Sequence, residues 1–194
     1  MAPIAVERLL ALDLVTPAEV VNWVVQRAAS FGEDDTYEIA STVCDFVRAG
    51  ELKAAGKKTA LMNKIRAAEA EAADAGRAAE DFASQGRVYE AQQASAAEAR
   101  AVEEITGCEA ELASADAPLM RARALNRETC VTLCSGLIKA ASHGASERVA
   151  SRVLALCRSR RVELADATAD LIKAAGTKKT AKTAVAHALG ATAH

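Results

Sequence analysis

The chain has 194 residues, of which 51% are hydrophobic, 26% charged and only 3% aromatic, with a formal net charge of −2. Alanine alone supplies 48 residues and proline three, a mixture that favours helix and works against strands, which draw on β-branched and aromatic side chains. No uncharged apolar window long enough for a membrane span occurs, and the N-terminus lacks the basic-then-apolar order of a signal peptide.

Residues 4–15 place Val6, Leu9, Leu10 and Leu14 at helical spacing, and this first helix is expected to stop near Val15. Thr16-Pro17-Ala18-Glu19 then reads as a complete helix start. Thr16 can cap, Pro17 takes the first helical position, and Glu19 lies three residues on to close a capping box. The helix over 17–29 carries Val20, Val21, Trp23, Val24 and Val25, a stripe wide enough to be buried on much of its circumference. Trp23, the only tryptophan, is expected to anchor the first three helices. A loop over Ser30 to Asp35 leads to a third helix with Tyr37, Ile39, Val43, Phe46 and Val47, which Gly50 is expected to end.

Residues 53–117 differ in kind. Leu61, Ile65, Ala68, Ala72, Ala75, Ala79 and Phe82 alternate spacings of four and three, as do Ala101, Ile105, Cys108, Leu112, Ala115 and Leu119. Each run is a heptad seam. The predominance of alanine demands a closely approaching partner helix. Between the runs, Ser84-Gln85-Gly86-Arg87 offers a turn, with Gly86 free to adopt the left-handed stop. The expectation is an antiparallel coiled-coil hairpin with arms of roughly 25–30 residues, each about 40 Å long. With so few large apolar residues, it is expected to project from a helical body. One continuous helix and a disordered Ala/Glu segment are the alternatives.

Ala117-Pro118 is expected to end the second arm. The next helix contains Leu125, Cys130, Leu133, Cys134, Leu137, Ile138 and Ala141, and Ser142 to Ser146 form a turn. Another helix carries Val149, Val153, Leu154, Leu156 and Cys157. Leu164, Ala167, Leu171 and Ile172 define a further amphipathic helix that Gly176 stops. The expected organisation is therefore all-α: a single α-solenoid-like helical-repeat domain over 1–176, a hairpin insertion at about 53–117, and a flexible basic tail over 177–194.

Chemistry-bearing motifs are sparse. No Gly-rich phosphate loop follows a strand. The five cysteines, Cys44, Cys108, Cys130, Cys134 and Cys157, are odd in number and widely spread, the usage of reduced intracellular thiols. Cys130 and Cys134 lie one helical turn apart, as half a metal site would, with His143 the nearest histidine. No second pair has zinc-ribbon spacing, so small helix-core residues are the preferred reading and no metal or cofactor is assigned. A Cys–His catalytic pair using His143 lacks a third orienting group in the sequence, and no catalytic residue is assigned.

Charge is unevenly distributed. Arg66 to Glu111 holds four arginines against eleven acids, whereas Leu119 to His194 holds thirteen basic residues against five acidic ones. Arg158, Arg160 and Arg161 form one basic cluster and Lys178, Lys179 and Lys182 another. They are candidate contacts for RNA or a protein partner through phosphate or carboxylate recognition. The alternatives are a solvated surface and ion pairing with the acidic hairpin. No aromatic residue is interleaved, so base stacking is not supported.

The order of parts resembles the C-terminal helical-repeat domain of the large subunit of the nuclear cap-binding complex. Leu14-Val15, then Val20, then Asn22-Trp23-Val24 match that family's apolar pair, short turn and Asn-Trp-aliphatic step. Tyr37-Glu38-Ile39-Ala40-Ser41-Thr42-Val43 is similar to its next helix, and a long charged coiled-coil insertion followed by further helices completes a likeness spanning most of residues 6–175. Val25 stands where the family tends to an aromatic, the insertion is unusually rich in alanine, and the family's two preceding helical domains are not in this sequence. With Met1 at its start, the chain is read as a truncated product or a stand-alone domain. The resemblance implies a non-enzymatic scaffold of initiation-factor-4G middle-domain-like repeats, located in the nucleus. Such a scaffold clamps a small RNA-recognition-motif subunit that holds the capped RNA, and offers the coiled coil to other proteins.

Overall fold

The computed structural model describes residues 3–160. Among them the chain is all-α, with five helices and no strand: α1 (Pro3–Ala11), α2 (Pro17–Arg27), α3 (Glu33–Ser84), α4 (Val88–Ala141) and α5 (Glu147–Ser159). The expected helix over Leu164 to Ile172, its stop at Gly176 and the tail lie outside the described residues. The chain divides into two compact units. The first comprises the residues up to Glu51 and from Ala122 onward, the second Leu52–Arg121.

The short connections are built from hydrogen bonds local to each helix end. α2 begins as expected: the Glu19 amide donates to Thr16 Oγ1 at 3.2 Å, and the Thr16 amide donates to Glu19 Oε2 at 2.8 Å. Bonds to the Thr16 backbone and hydroxyl hold Glu19 below the usual carboxylate range. Three helix C-termini share one pattern. Leu14 N–H reaches the Leu9 carbonyl at 3.0 Å, Arg87 reaches Phe82 at 2.9 Å, and Ala145 reaches Ala140 at 3.1 Å. The residue before each donor is left-handed: Asp13 with φ 53°, Gly86 with φ 72° and Gly144 with φ 106°. These are Schellman endings, and glycine fills two of them because it lacks a Cβ penalty there. The turns expected at Gly86 and over Ser142 to Ser146 are therefore present, whereas α1 ends at Ala11, earlier than expected, and leaves Leu14 exposed.

Two expected helix ends are corrected. Gly50 does not stop α3, because its backbone stays out of the left-handed region. The next residue, Glu51, carries the helix on with an ion pair to Arg48 at 2.8 Å and a hydrogen bond from Asn126 at 2.7 Å. Pro118 does not end α4 but sits inside it. A proline there forfeits a backbone bond at a cost of about 3 kcal/mol. Flanking contacts offset it, since Ala115 and Leu119 are buried and Asp116 pairs with Lys58 at 2.5 Å.

The core of the first unit draws on all five helices, with Val6, Val24, Ile39, Leu133 and Val153 among its members. Trp23 is not at its centre. It is half-buried, packs against that core and tilts against Phe31 with ring centroids 5.0 Å apart. Leu125, expected on the apolar face of its helix, is 44% exposed, and Asn126 and Thr129 are buried instead. Helices α2 and α4 approach closely at Gly136, where an added Cβ would lie 2.6 Å from Val25 Cγ2.

In the second unit the two helical segments run antiparallel, with Lys58 against Asp116 and Gly76 against Glu98. Of the expected seam, Leu61, Ala68, Ala101, Cys108, Ala115 and Leu119 are buried, Ile65 and Leu112 pack beside them, and Ala72, Ala75, Ala79, Phe82 and Ile105 are half-buried. Small residues at heptad spacing allow the two segments to approach closely along this line.

Gly136→Ala is expected to destabilise the first unit by about 1–3 kcal/mol, because Val25 must move to admit the methyl group; urea unfolding followed by circular dichroism measures it. Replacing residues 57–116 with a short Gly/Ser linker is expected to leave the first unit folded, since none of its core residues comes from that segment and closing a loop costs little. A cooperative thermal melt checks this; a molten or aggregated product contradicts it.

Candidate functional site

The densest collection of chemically reactive groups lies inside the first unit. Cys44 on α3, Cys130 and Cys134 on α4, and Cys157 on α5 are each no more than 1% exposed. Each arrives there because its helix places it on the apolar face, Cys44 beside Val43 and Cys157 beside Leu154. Cys130 and Cys134 share a face because they are four residues apart. Their sulfurs form a connected group: Cys130 to Cys44 at 3.8 Å, Cys44 to Cys157 at 4.0 Å, and Cys157 to Cys134 at 3.8 Å. The sulfurs of Cys44, Cys130 and Cys157 all lie within 4.8 Å of one another. All four are free thiols.

A polar chain extends from this group. Cys130 Sγ lies 3.6 Å from Asn126 Oδ1, and the Asn126 amide donates to Glu51 Oε2 at 2.7 Å. Burial raises the Glu51 carboxyl, but bonds from Asn126 and Arg48 and the charges of Arg48 and Arg123 outweigh it, so the group stays ionised more readily than usual. The thiols are held in the opposite sense. Cys44 is pushed up to about 12, first by its bond with Cys130 and then by burial, against a pull in the other direction from Cys157. Cys130 is likewise pushed up to about 12, chiefly through its bond with Cys157 and by burial. For Cys157 the bond with Cys130 lowers the thiol, and the bonds with Cys134 and Cys44 together with burial overcome it, leaving it raised. Arg160 acts weakly the other way on Cys44 and Cys130. Neutral thiols in a dry core are poor nucleophiles.

His143 does not join them. It is exposed in the turn after α4, and its Nδ1 lies 2.9 Å from the Lys139 carbonyl oxygen. The Cys–His pairing considered from the sequence is therefore not assembled. The sequence singled out Cys130 and Cys134 but not their convergence with Cys44 and Cys157. The available signal was that both distant cysteines sit on apolar helix faces, which a single core must bring together.

Of the basic candidates, Arg158 lies on the exposed side of α5. Arg160 turns inward at the end of α5, pairing with Asp45 at 2.7 Å and approaching Ser41 Oγ at 3.4 Å. Arg161, Lys178, Lys179 and Lys182 lie outside the described residues. The acids that meet this basic half of the chain are on the first part of α3: Arg152 pairs with Asp34 at 2.8 Å while stacking over Tyr37, and Arg148 reaches Glu33 at 4.0 Å. A shallow apolar groove of about 280 Å³ is lined by Val6, Leu9, Val15, Glu19, Val20 and Trp23. No described helix is long and apolar enough to cross a membrane. Compared with known proteins, the chain matches no family model, no curated protein and no solved structure.

The buried thiols make stability fall at high pH. In the folded chain Cys44 and Cys130 keep their protons until about 12, whereas the ordinary value is 9.0. The unfolded chain therefore binds fewer protons between these values, and the thiols' contribution is full below the lower value and lost on the way to the upper one. Urea midpoints measured across that interval are expected to fall more steeply for the natural chain than for the Cys44→Ala variant. Parallel profiles would contradict the assignment.

Proposed function

We propose that the chain is a non-enzymatic helical scaffold domain, of the kind found in the large subunit of the nuclear cap-binding complex. In this reading it supports the binding of capped RNA indirectly, through a small RNA-recognition-motif partner. The observation that carries the reading is the α1–turn–α2 arrangement. Of the residues of the resemblance, Leu14-Val15 fall in the short connection that follows the end of α1 at Ala11, and Val20 and Asn22-Trp23-Val24 lie in α2, whose start is fully capped by Thr16 and Glu19. The matching segment Tyr37 to Val43 follows as the first turns of α3. Helix pairs joined by tight punctuated turns are the unit from which helical repeats are stacked.

A protein-interaction module without an RNA role is the second reading, and the heptad seam of Leu52–Arg121 favours it. That unit buries small residues along the seam and presents an acidic outer surface, with Glu69, Glu71, Glu103 and Glu109 all exposed. Such a surface repels phosphate and suits a basic protein partner.

The two readings separate in a titration of capped and uncapped RNA. With the chain alone, binding is expected to be weak, salt-sensitive and indifferent to the cap, because phosphate contacts alone carry it. With a candidate small subunit added, a stable protein complex and cap-dependent affinity are expected. Tight cap-dependent binding by the chain alone contradicts the scaffold reading, and the absence of any complex favours the interaction module.

A further inference from the structure

We infer that Cys44, Cys130 and Cys157 form a binding site for a thiophilic divalent metal ion of the zinc class, with Cys134 as the adjoining fourth sulfur. Three observations carry it. The first is geometric. Metal–sulfur bonds of about 2.3 Å in tetrahedral array put neighbouring sulfurs about 3.8 Å apart. The separations here are 3.8 Å for Cys130–Cys44, 4.0 Å for Cys44–Cys157 and 3.8 Å for Cys157–Cys134. Two edges of the leading triangle, Cys130–Cys44 and Cys44–Cys157, thus match that spacing, its third closes within 4.8 Å, and Cys134 adjoins it through Cys157.

The second is convergence. Four of the five cysteines in the chain meet at one place, from three helices and from positions 113 residues apart. Packing alone requires small residues there, and alanine, which supplies 48 positions elsewhere, would meet that need without a sulfur. The third is the surrounding chemistry. Asn126 Oδ1 accepts from the protonated Cys130 thiol at 3.6 Å while its amide donates to Glu51, so Asn126 holds the Cys130 side chain in place before the ion loads. Soft sulfur donors with no competing carboxylate or imidazole in the group select zinc-class ions over magnesium or calcium.

The chemistry of loading balances simply. Each ligating thiol gives its proton to solvent as its sulfur–metal bond forms, with no change of oxidation state. All four sulfurs are buried, and with Cys134, 3.8 Å from Cys157, moving in to take the fourth position no place is left for an exchanging water or substrate, so the role is structural: the ion ties α3, α4 and α5 together. Enclosure also means that the ion enters during folding or on opening of the first unit, so loading by the folded chain is slow and loading during refolding is fast.

The test is to refold the full chain under reducing conditions with cadmium(II), a spectroscopic stand-in for zinc. One equivalent is expected to produce the ultraviolet sulfur-to-cadmium charge-transfer band and to raise the thermal midpoint, and zinc(II) is expected to displace it. Cys44→Ser, Cys130→Ser and Cys157→Ser are each expected to weaken binding by at least about tenfold, the lower bound of what even outer-shell changes do to metal sites. Cys108→Ser, whose sulfur packs with Leu61 in the other unit, is expected to bind as the natural chain does. Circular dichroism shows whether each variant is folded, and a folded variant that keeps the band overturns its ligand. A folded natural chain with no band, or with one that Cys108→Ser abolishes, overturns the site.

Discussion

The structure depends on how closely its helices approach. A chain with little aromatic volume and abundant alanine cannot fill wide gaps between helices, so its contacts must be made by small side chains at short range. Gly136 is one case, with Val25 resting where a side chain would begin. The cysteines of α3, α4 and α5 belong to the same economy, each a compact side chain facing others at four ångströms or less. In the second unit the same constraint appears as an alanine seam relieved by occasional larger residues such as Leu61 and Leu119. Dispersion contacts fall off steeply with separation, so these interfaces are stabilising only while the backbones stay near.

Electrostatics then fastens what packing has brought together. The acidic start of α3 suits a helix N-terminus, where the macrodipole favours negative charge. Glu33 and Asp34 are also the partners of arginines on α5, and Ser146 at the start of α5 donates to Glu33 at 2.6 Å. One acidic patch thus serves both the helix that carries it and a helix more than a hundred residues away. The individual pairs are exposed and weak, and their value is to select one orientation of α5 among those its apolar face allows.

Much of this was legible in the residues. The capping box at Thr16, the left-handed turn at Gly86 and every buried position of the coiled-coil seam follow from local spacing, because heptads and caps are local chemistry. The helix continues through Gly50 and Pro118, against their local signal, for a common reason. Both are breakers by intrinsic preference, and both are overridden by contacts with partners far along the chain: Asn126 for the helix through Gly50, and the Lys58 pairing and buried seam around Pro118. The bulk of Trp23 suggests a central place, but it lies half-buried beside Phe31 while smaller valines occupy the interior. The cysteine group was half-seen. Cys130 and Cys134 are neighbours on a helix, but Cys44 and Cys157 join them only through the tertiary fold.

The seam of the second unit carries a consequence for how such a chain can change in length. Its register is held at both ends, by the three-residue reversal at Gln85 to Arg87 and by the larger residues and the Lys58–Asp116 pair at the other extreme. Between them the small residues are nearly interchangeable, so sliding one arm by a heptad meets little local resistance but breaks both locks. Insertions and deletions here are tolerable only as matched sevens, one in each arm. The coiled coil of a descendant of this sequence would therefore grow or shrink in paired steps, with its turn and its base preserved.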